Sequence, residues 1–356
     1  MIMKTAAKLA SGQMSLLKSK ACTGAPEFKF IDLFAGIGGI RIPFEELGGE
    51  CVFTSEWDGP CQVVYEANFG EVPFGDITKV KPENISPFDI LLAGFPCQPF
   101  SQAGLKKGLN DTRGTLFFNI VKILDYHRPR VVLLENVKRL ASHDGGNTLK
   151  VILESLKNLN YQTYYKVLNA RDFGVPQNRQ RIFIIGFLGG ADFDFPIPPK
   201  LKTRLGDILE GYPDPKYTIS DKLWAGHKRR KKEHKIKGNG FGYSLFDENS
   251  EYTNTISARY YKDGSEILIK QKNKNPRKLT PMEAARLQGF PETFKISASN
   301  TQAYKQFGNS VSVPVVRAVA ESILKAMKNQ KTASLNKRKV NLREILDEHG
   351  YLNIAV

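Results

Sequence analysis

Cysteine is scarce in this chain, whose 356 residues include only Cys22, Cys51, Cys61 and Cys97. They form no CxxC pair and do not cluster with histidines, so neither a zinc site nor a disulfide framework is indicated, and a reducing cytoplasm suits them. Long apolar runs are missing too. No stretch approaches the roughly 18 residues that span a bilayer, and the N-terminus lacks the apolar core of a signal peptide, so a soluble protein without membrane contact is expected. Acidic side chains are in deficit. Against 52 Lys and Arg stand 36 Asp and Glu, a formal charge of +16. Such a balance points to a polyanionic partner, nucleic acid foremost, without favouring any fold.

A dinucleotide-binding turn is present only in part. Phe34-Ala35-Gly36-Ile37-Gly38-Gly39 follows the first apolar run and is a glycine turn of the kind that lets a ligand approach the backbone at the carboxyl edge of a sheet. Arg41, however, stands where the third glycine of an NAD or FAD pattern belongs. Glu56 lies 20 residues past Gly36, at the end of the second apolar run, where a carboxylate can accept both ribose hydroxyls of an adenosine. Glycine turn and acid together imply a nucleoside cofactor.

The chain is longer than one core usually serves, so two lobes are expected. Residues 1–27, rich in Lys, Ala and Ser and ending in Thr23-Gly24-Ala25-Pro26, read as a loosely attached leader. From Phe28 to residue 188, short β-rich runs (FKFIDLF, ECVFTSE, DILLAGF, RVVLLEN, RIFIIGF) alternate with stretches of helical spacing such as 115–126 and 147–159. That alternation predicts an α/β lobe with a mostly parallel sheet covered on both faces. Residues 189–278 lose it and read as a second, irregular lobe. Residues 279–330 return to helical patterning, with Thr280-Pro281-Met282-Glu283 as a helix start and Val316, Val319, Ile323 and Met327 at core spacing. Residues 331–356 are a Lys-rich tail with one short amphipathic helix at about 340–349.

Cys97 follows the run DILLAGF and sits between Pro96 and Pro99, in a stiff turn bounded by Gly94 and Gly104. A presented thiol of this kind suits a nucleophile, although a lone cysteine more often ends up as core packing. Glu135 ends RVVLLE, so it belongs at the same sheet edge, as a catalytic acid or as an ordinary strand-end charge. Asp111-Thr112-Arg113-Gly114 closes the segment that Cys97 opens. Arg179 and Arg181 stand two apart, which on extended chain puts both guanidinium groups on one face; they suit a base edge and a phosphate, or a surface salt-bridge pair.

In the second lobe, Lys228 to Lys237 holds seven basic residues and one acid, Glu233, in ten positions. A solvated charge run is its ordinary reading. The glycine-aromatic block GNGFGYSLF and the stretch Tyr252 to Tyr261 follow it, and basic charge interleaved with Gly, Asn and aromatics is what phosphate contact and groove reading require.

These blocks, in this order, resemble the DNA cytosine-C5 methyltransferases of the bacterial restriction-modification and Dcm-like group. The resemblance spans about residues 28–325 through FIDLFAGIGG, GDI, GFPCQPFSQAG, DTRGTLFF, LENVKRL, PQNRQR, RKLTPMEAARLQGFP and YKQFGNSV. It implies a Rossmann-like S-adenosylmethionine-dependent lobe plus a smaller, irregular DNA target-recognition lobe. The cofactor would contact Phe34, Gly36, Gly38, Glu56, Trp57, Asp76, Ile77, Gly94, Pro96, Asn309, Ser310 and Val311, with plain core packing as the alternative for Trp57 and Ile77. Catalysis would fall to Cys97, Glu135, Arg179 and Arg181. DNA contacts would fall to Gln98, Ser101, Arg113, Arg229, Arg230, Lys232, Thr255, Arg259 and Tyr260.

The activity implied is methylation of C5 of a cytosine in a short duplex site, of the CC-N-GG or CC-(A/T)-GG type, as the protective partner of a restriction endonuclease cutting the same site. A monomer working in the bacterial cytoplasm, at the nucleoid, is expected. Ala103 departs from relatives that carry a small hydroxyl residue there. Two competitors are a Dnmt2-like tRNA methyltransferase and a catalytically silent DNA-binding regulator. The roughly ninety residues between 189 and 278 speak against the first, and the presence of Cys97, Glu135 and Arg181 against the second.

Overall fold

The structure, a computed structural model, describes residues 26–96, 115–199 and 201–329. Six strands, β1 (Phe28–Leu33), β2 (Gly49–Ser55), β3 (Ile90–Ala93), β4 (Val131–Val137), β5 (Tyr161–Asn169) and β6 (Gln180–Leu188), form one sheet in the order β2-β1-β3-β4-β6-β5. β1 pairs in parallel with β2 and β3, and β3 with β4. Both ladders that β6 makes, to β4 and to β5, are antiparallel, so β6 alone runs against the rest.

The near-continuous apolar runs follow from burial on both faces. Because successive strand residues point to opposite faces, Ile31, Leu33, Leu91, Val132 and Leu134 pack one way, against α3 (Thr115–His127) and α4 (Asn147–Asn158). Phe30, Ile90, Leu92, Val131 and Leu133 pack the other way, against α1 (Arg41–Glu46) and α8 (Val313–Asn329), where Val316, Val319, Ile323 and Met327 are buried as their spacing predicts. The helix α2 (Gly59–Phe69) completes the first lobe.

Between residues 189 and 278 the regular structure is sparse. It comprises α5 (Asp221–Ile236), capped by Ser220 Oγ accepting from Leu223 N at 3.2 Å, and a two-stranded parallel ladder of β7 (Leu245–Phe246) with β8 (Leu268–Ile269). The basic run is thus the C-terminal part of a helix. α6 (Pro281–Leu287) begins at a capping box in which Thr280 and Glu283 bond each other's backbone, as the TPME signal predicts, and α7 (Asn300–Asn309) follows.

One apolar cluster joins both ends of the chain. Ile37, Ile42 and Val64 pack there with Leu205, Ile256, Tyr260, Ile267, Leu287 and Phe307. Strand β5 escapes the sequence reading because it is an edge strand: Gln162, Tyr165 and Lys166 face outward and break the apolar run. The leader up to residue 25 and the helix at 340–349 lie outside the described residues.

Candidate active site

Parallel strands bring their carboxyl ends to one edge, and the turns after β1, β2 and β3 meet the end of β4 there around a cleft of about 830 Å³. The first turn is strained and tightly held. Phe34, Gly36 and Gly38 take φ of 56°, 58° and 83°, and for Phe34, which carries a Cβ, the left-handed region costs about 1–2 kcal/mol. Ala35 N donates to Ser55 O at 3.0 Å. A Cβ on Gly36 would meet nothing within 4 Å, whereas one on Gly39 would press on Ser310 Oγ at 2.6 Å. Gly36 therefore borders open space while Gly39 seals the turn against the loop after α7.

Glu56 stands behind that space. Its Oε2 accepts from Gly36 N and its Oε1 from Asp58 N, both at 2.8 Å. Burial pushes its carboxyl up against the pull of those N–H groups. Trp57 is 83% exposed at the cleft mouth, so it is not core packing, while Ile77 lines the same cleft and is buried. Asp76 is held below the usual carboxylate range by the hydroxyl and amide of Thr78. Phe34, Gly94, Pro96, Asn309, Ser310 and Val311 also line the cleft. Gly38 does not: a Cβ there would run into the Phe69 ring, so this glycine serves the close approach of α2 and not a ligand.

Glu135 and Arg181 share the far wall. In the β4–β6 ladder Glu135 opposes Phe183, so Arg181 is its diagonal neighbour on the same face, with Nε 3.3 Å from Glu135 Oε1. Burial raises the Glu135 pKa, opposed by Arg181 and then Arg179; burial likewise lowers that of Arg181, opposed by Glu135. The sequence reading missed Asn136. Its Nδ2 donates to Phe95 O at 2.9 Å, pinning the chain just ahead of Cys97. A polar residue inside an otherwise apolar strand, next to Glu135, was the available signal. Cys97, Gln98, Ser101 and Arg113 lie outside the described residues.

Two further expectations are corrected. Arg179 stands just before β6, close enough for its charge to act on Glu135, but its guanidinium is taken up by backbone carbonyls. It is buried and donates to Ile256 O and Gly308 O, each at 3.1 Å, and to Ser310 O, because a desolvated guanidinium needs acceptors. It positions backbone and does not line the cleft. Tyr260 is wholly buried, its hydroxyl donating to Ile267 O at 2.7 Å and accepting from Leu279 N at 2.8 Å, so it is not available to DNA. Arg230 is exposed but engaged within its lobe, at 3.1 Å from Asp263 Oδ2 and 3.0 Å from His227 Nδ1. Arg229 and Lys232 are exposed on the outer side of α5, and Arg259 is exposed beyond Thr255, whose hydroxyl donates to Asn178 O at 2.6 Å.

The C-5 cytosine-specific DNA methylase family matches residues 28–325. The chain is similar to the Type II methyltransferase M.NlaX of Neisseria lactamica, 62% identical over 304 residues that cover 84% of this chain and 97% of that protein. With the Type II methyltransferase M.DsaV of Dactylococcopsis salina it shares 60% identity over 302 residues, 84% of this chain and 86% of that one. Among solved structures, the Dnmt2 methyltransferase of S. pombe superposes with a TM-score of 0.72 at 20% identity, over 85% of this chain and 100% of that one. The Entamoeba histolytica methyltransferase EhMeth does so with a TM-score of 0.71 at 20% identity, over 85% of this chain and 99% of that one. At those identities the shared property is the Rossmann-like fold.

Proposed function

As a member of the C-5 cytosine-specific DNA methylase family this chain is a sequence-specific DNA cytosine-5 methyltransferase of the Type II restriction-modification kind, and from that premise we propose that S-adenosylmethionine is its methyl donor and Cys97 its nucleophile. The observation that carries the reading is the pairing, in one cleft, of the anchored Glu56 carboxylate with the Glu135–Arg181 pair. The cleft suits the donor: Gly36 borders unfilled space, Glu56 beside it would accept from a ribose diol, and Trp57 offers an exposed π-face to a cation. Phe34, Asp76, Ile77, Gly94, Pro96, Asn309, Ser310 and Val311 would complete the binding walls.

When bound, S-adenosylmethionine supplies the activated methyl group. Cytosine C5 is a poor nucleophile, and the chain remedies this by adding the Cys97 thiolate to C6, which places electron density at C5. Glu135 holds a proton at N3 so that the ring does not carry the full negative charge, a task its raised pKa favours. Arg181 donates to the O2 edge. Once the C5–methyl bond has formed and the sulfonium–methyl bond has broken, a base takes the C5 proton, the C5–H electron pair restores the C5–C6 double bond, and the C6–S bond breaks to return the Cys97 thiolate. Because C6 is inaccessible in a stacked duplex, the base must be flipped out, at a cost of a few kcal/mol that pocket contacts offset.

Double-stranded DNA would cross the second lobe. Arg229 and Lys232 on the outer side of α5 contact phosphates, and Thr255 and Arg259 belong to the segment that reads the site, of the CC-N-GG or CC-(A/T)-GG type. Gln98, Ser101 and Arg113 complete the DNA contacts. The enzyme acts as a monomer in the bacterial cytoplasm, at the nucleoid, protecting sites that a cognate endonuclease cuts. Among the described residues no helix is long and apolar enough to cross a membrane. Bisulfite sequencing of plasmid from expressing cells tests the reading: 5-methylcytosine at one position of one short motif is expected, and none at any motif would sink it.

A further inference from the structure

Gly308, near the end of α7, touches the recognition segment backbone to backbone. A Cβ built there would run into the carbonyl of Ser257 and the amide of Ala258. Gly308, Asn309 and Ser310 also line the cofactor cleft. The two sites are thus separated by the thickness of one peptide chain.

Buried polar side chains bolt this contact together. Arg179 donates to Ile256 O on one side and to Gly308 O and Ser310 O on the other. Gln177 accepts from Ile256 N at 3.1 Å and donates to Leu287 O at 3.0 Å and Gln288 Oε1 at 3.1 Å, and Gln288 donates to Phe307 O at 2.7 Å. All three side chains are buried, so parting the segments would strand donors away from water, which costs more than the bonds contribute when made. The segments therefore move as one body.

We propose that Arg179, Gln177 and the bare Cα of Gly308 form a joint that couples the methyl-donor cleft to the DNA-recognition segment, so that each ligand raises the affinity of the other. This rests on the assignments made under Proposed function. A ligand that orders Asn309 and Ser310 orders Ile256 to Ala258 through the shared acceptors, and the duplex then loses less freedom on binding. Arg179 is a positioning residue here, acting through backbone and not on the reacting atoms.

The test measures the Kd of S-adenosylhomocysteine with and without a duplex carrying the methylated motif, and the Kd of the duplex with and without S-adenosylhomocysteine. Both ratios must give one coupling factor, expected at about 5-fold or more in the wild type. Gly308→Ala, which wedges the segments apart, and Arg179→Lys, which keeps the charge but cannot bridge three carbonyls, should bring that factor close to one. A wild-type factor of one overturns the proposal. So does a variant in which both single-ligand affinities fall while the factor is kept, since that is a purely structural strut. If the wild type binds neither ligand, the proposed function fails and not the joint. Hydrogen exchange on the wild type covers the case of variants that do not fold: S-adenosylhomocysteine alone should protect the amides of Ile256 to Ala258, and their unchanged exchange overturns the coupling.

Discussion

Arg181 Nε lies 3.3 Å from Glu135 Oε1 across the β4–β6 ladder, and Glu135 Oε1, although buried, makes no hydrogen bond. The pair is close enough for attraction yet leaves the carboxyl free to take a partner. That is the arrangement wanted of an acid that must hold a proton for a substrate. Glu135→Gln is accordingly expected to slow methyl transfer by on the order of 10²-fold or more, the scale of one positioned acid, with duplex affinity retained. Single-turnover kinetics check it, and an unchanged rate would return Glu135 to an ordinary strand-end role.

Cys97→Ser should abolish methylation and leave sequence-specific binding in place, because the sulfur is needed for the adduct and not for groove contacts. With the target cytosine replaced by 5-fluorocytosine, the wild type should give a denaturant-stable protein-DNA band that requires S-adenosylmethionine, since fluorine cannot leave as a cation. Normal turnover of ordinary substrate without that band would count against addition at C6.

On α5 the structure separates residues of one type. Replacing Arg229 and Lys232 by Gln should weaken binding to all duplexes alike and flatten the slope of log K against log salt by roughly one unit per lost phosphate contact. Arg230→Gln should leave that slope alone and lower the melting temperature, because it removes a partner of both Asp263 and His227. If the double variant keeps the wild-type slope, α5 is not on the DNA.

Asp32, in the middle of the sheet, has neither carboxylate oxygen hydrogen-bonded. Burial, only partly opposed by Arg41, pushes its pKa from 3.8 up to about 8. The folded pKa is the higher one, so the folded state holds the proton more tightly. The associated stability is complete below 3.8 and is lost as pH rises through about 8. Asp32→Asn removes this term, so its melting temperature should fall less than that of the wild type between pH 6 and pH 9, by an amount on the order of a kcal/mol or more in stability. Equal declines in the two proteins would show that Asp32 does not titrate in that range.

Much of this protein is determined by its sequence alone. The strands that are buried on both faces are legible as unbroken apolar runs, since nothing polar is tolerated in them, and parallel pairing then sends Glu56, Gly94 and Glu135 to one edge. Glycine turns are legible for a similar reason: the positive φ at Gly36 is a local demand that the residue type answers. Tertiary structure decided what side chains of one kind do in different places. Arg179 and Arg181 are two residues apart, yet only the second lies in the ladder facing the cleft; the first is turned into the joint with Gly308. Arg229 and Arg230 are adjacent, yet one pairs within α5 with Glu233 while the other reaches Asp263 across the lobe. Tyr260 reads as a groove-facing aromatic and is core, because Leu279 and Ile267 supply the partners its hydroxyl needs. Polar and aromatic side chains are versatile, and which of their uses is realised depends on partners tens of residues away, which no local pattern records.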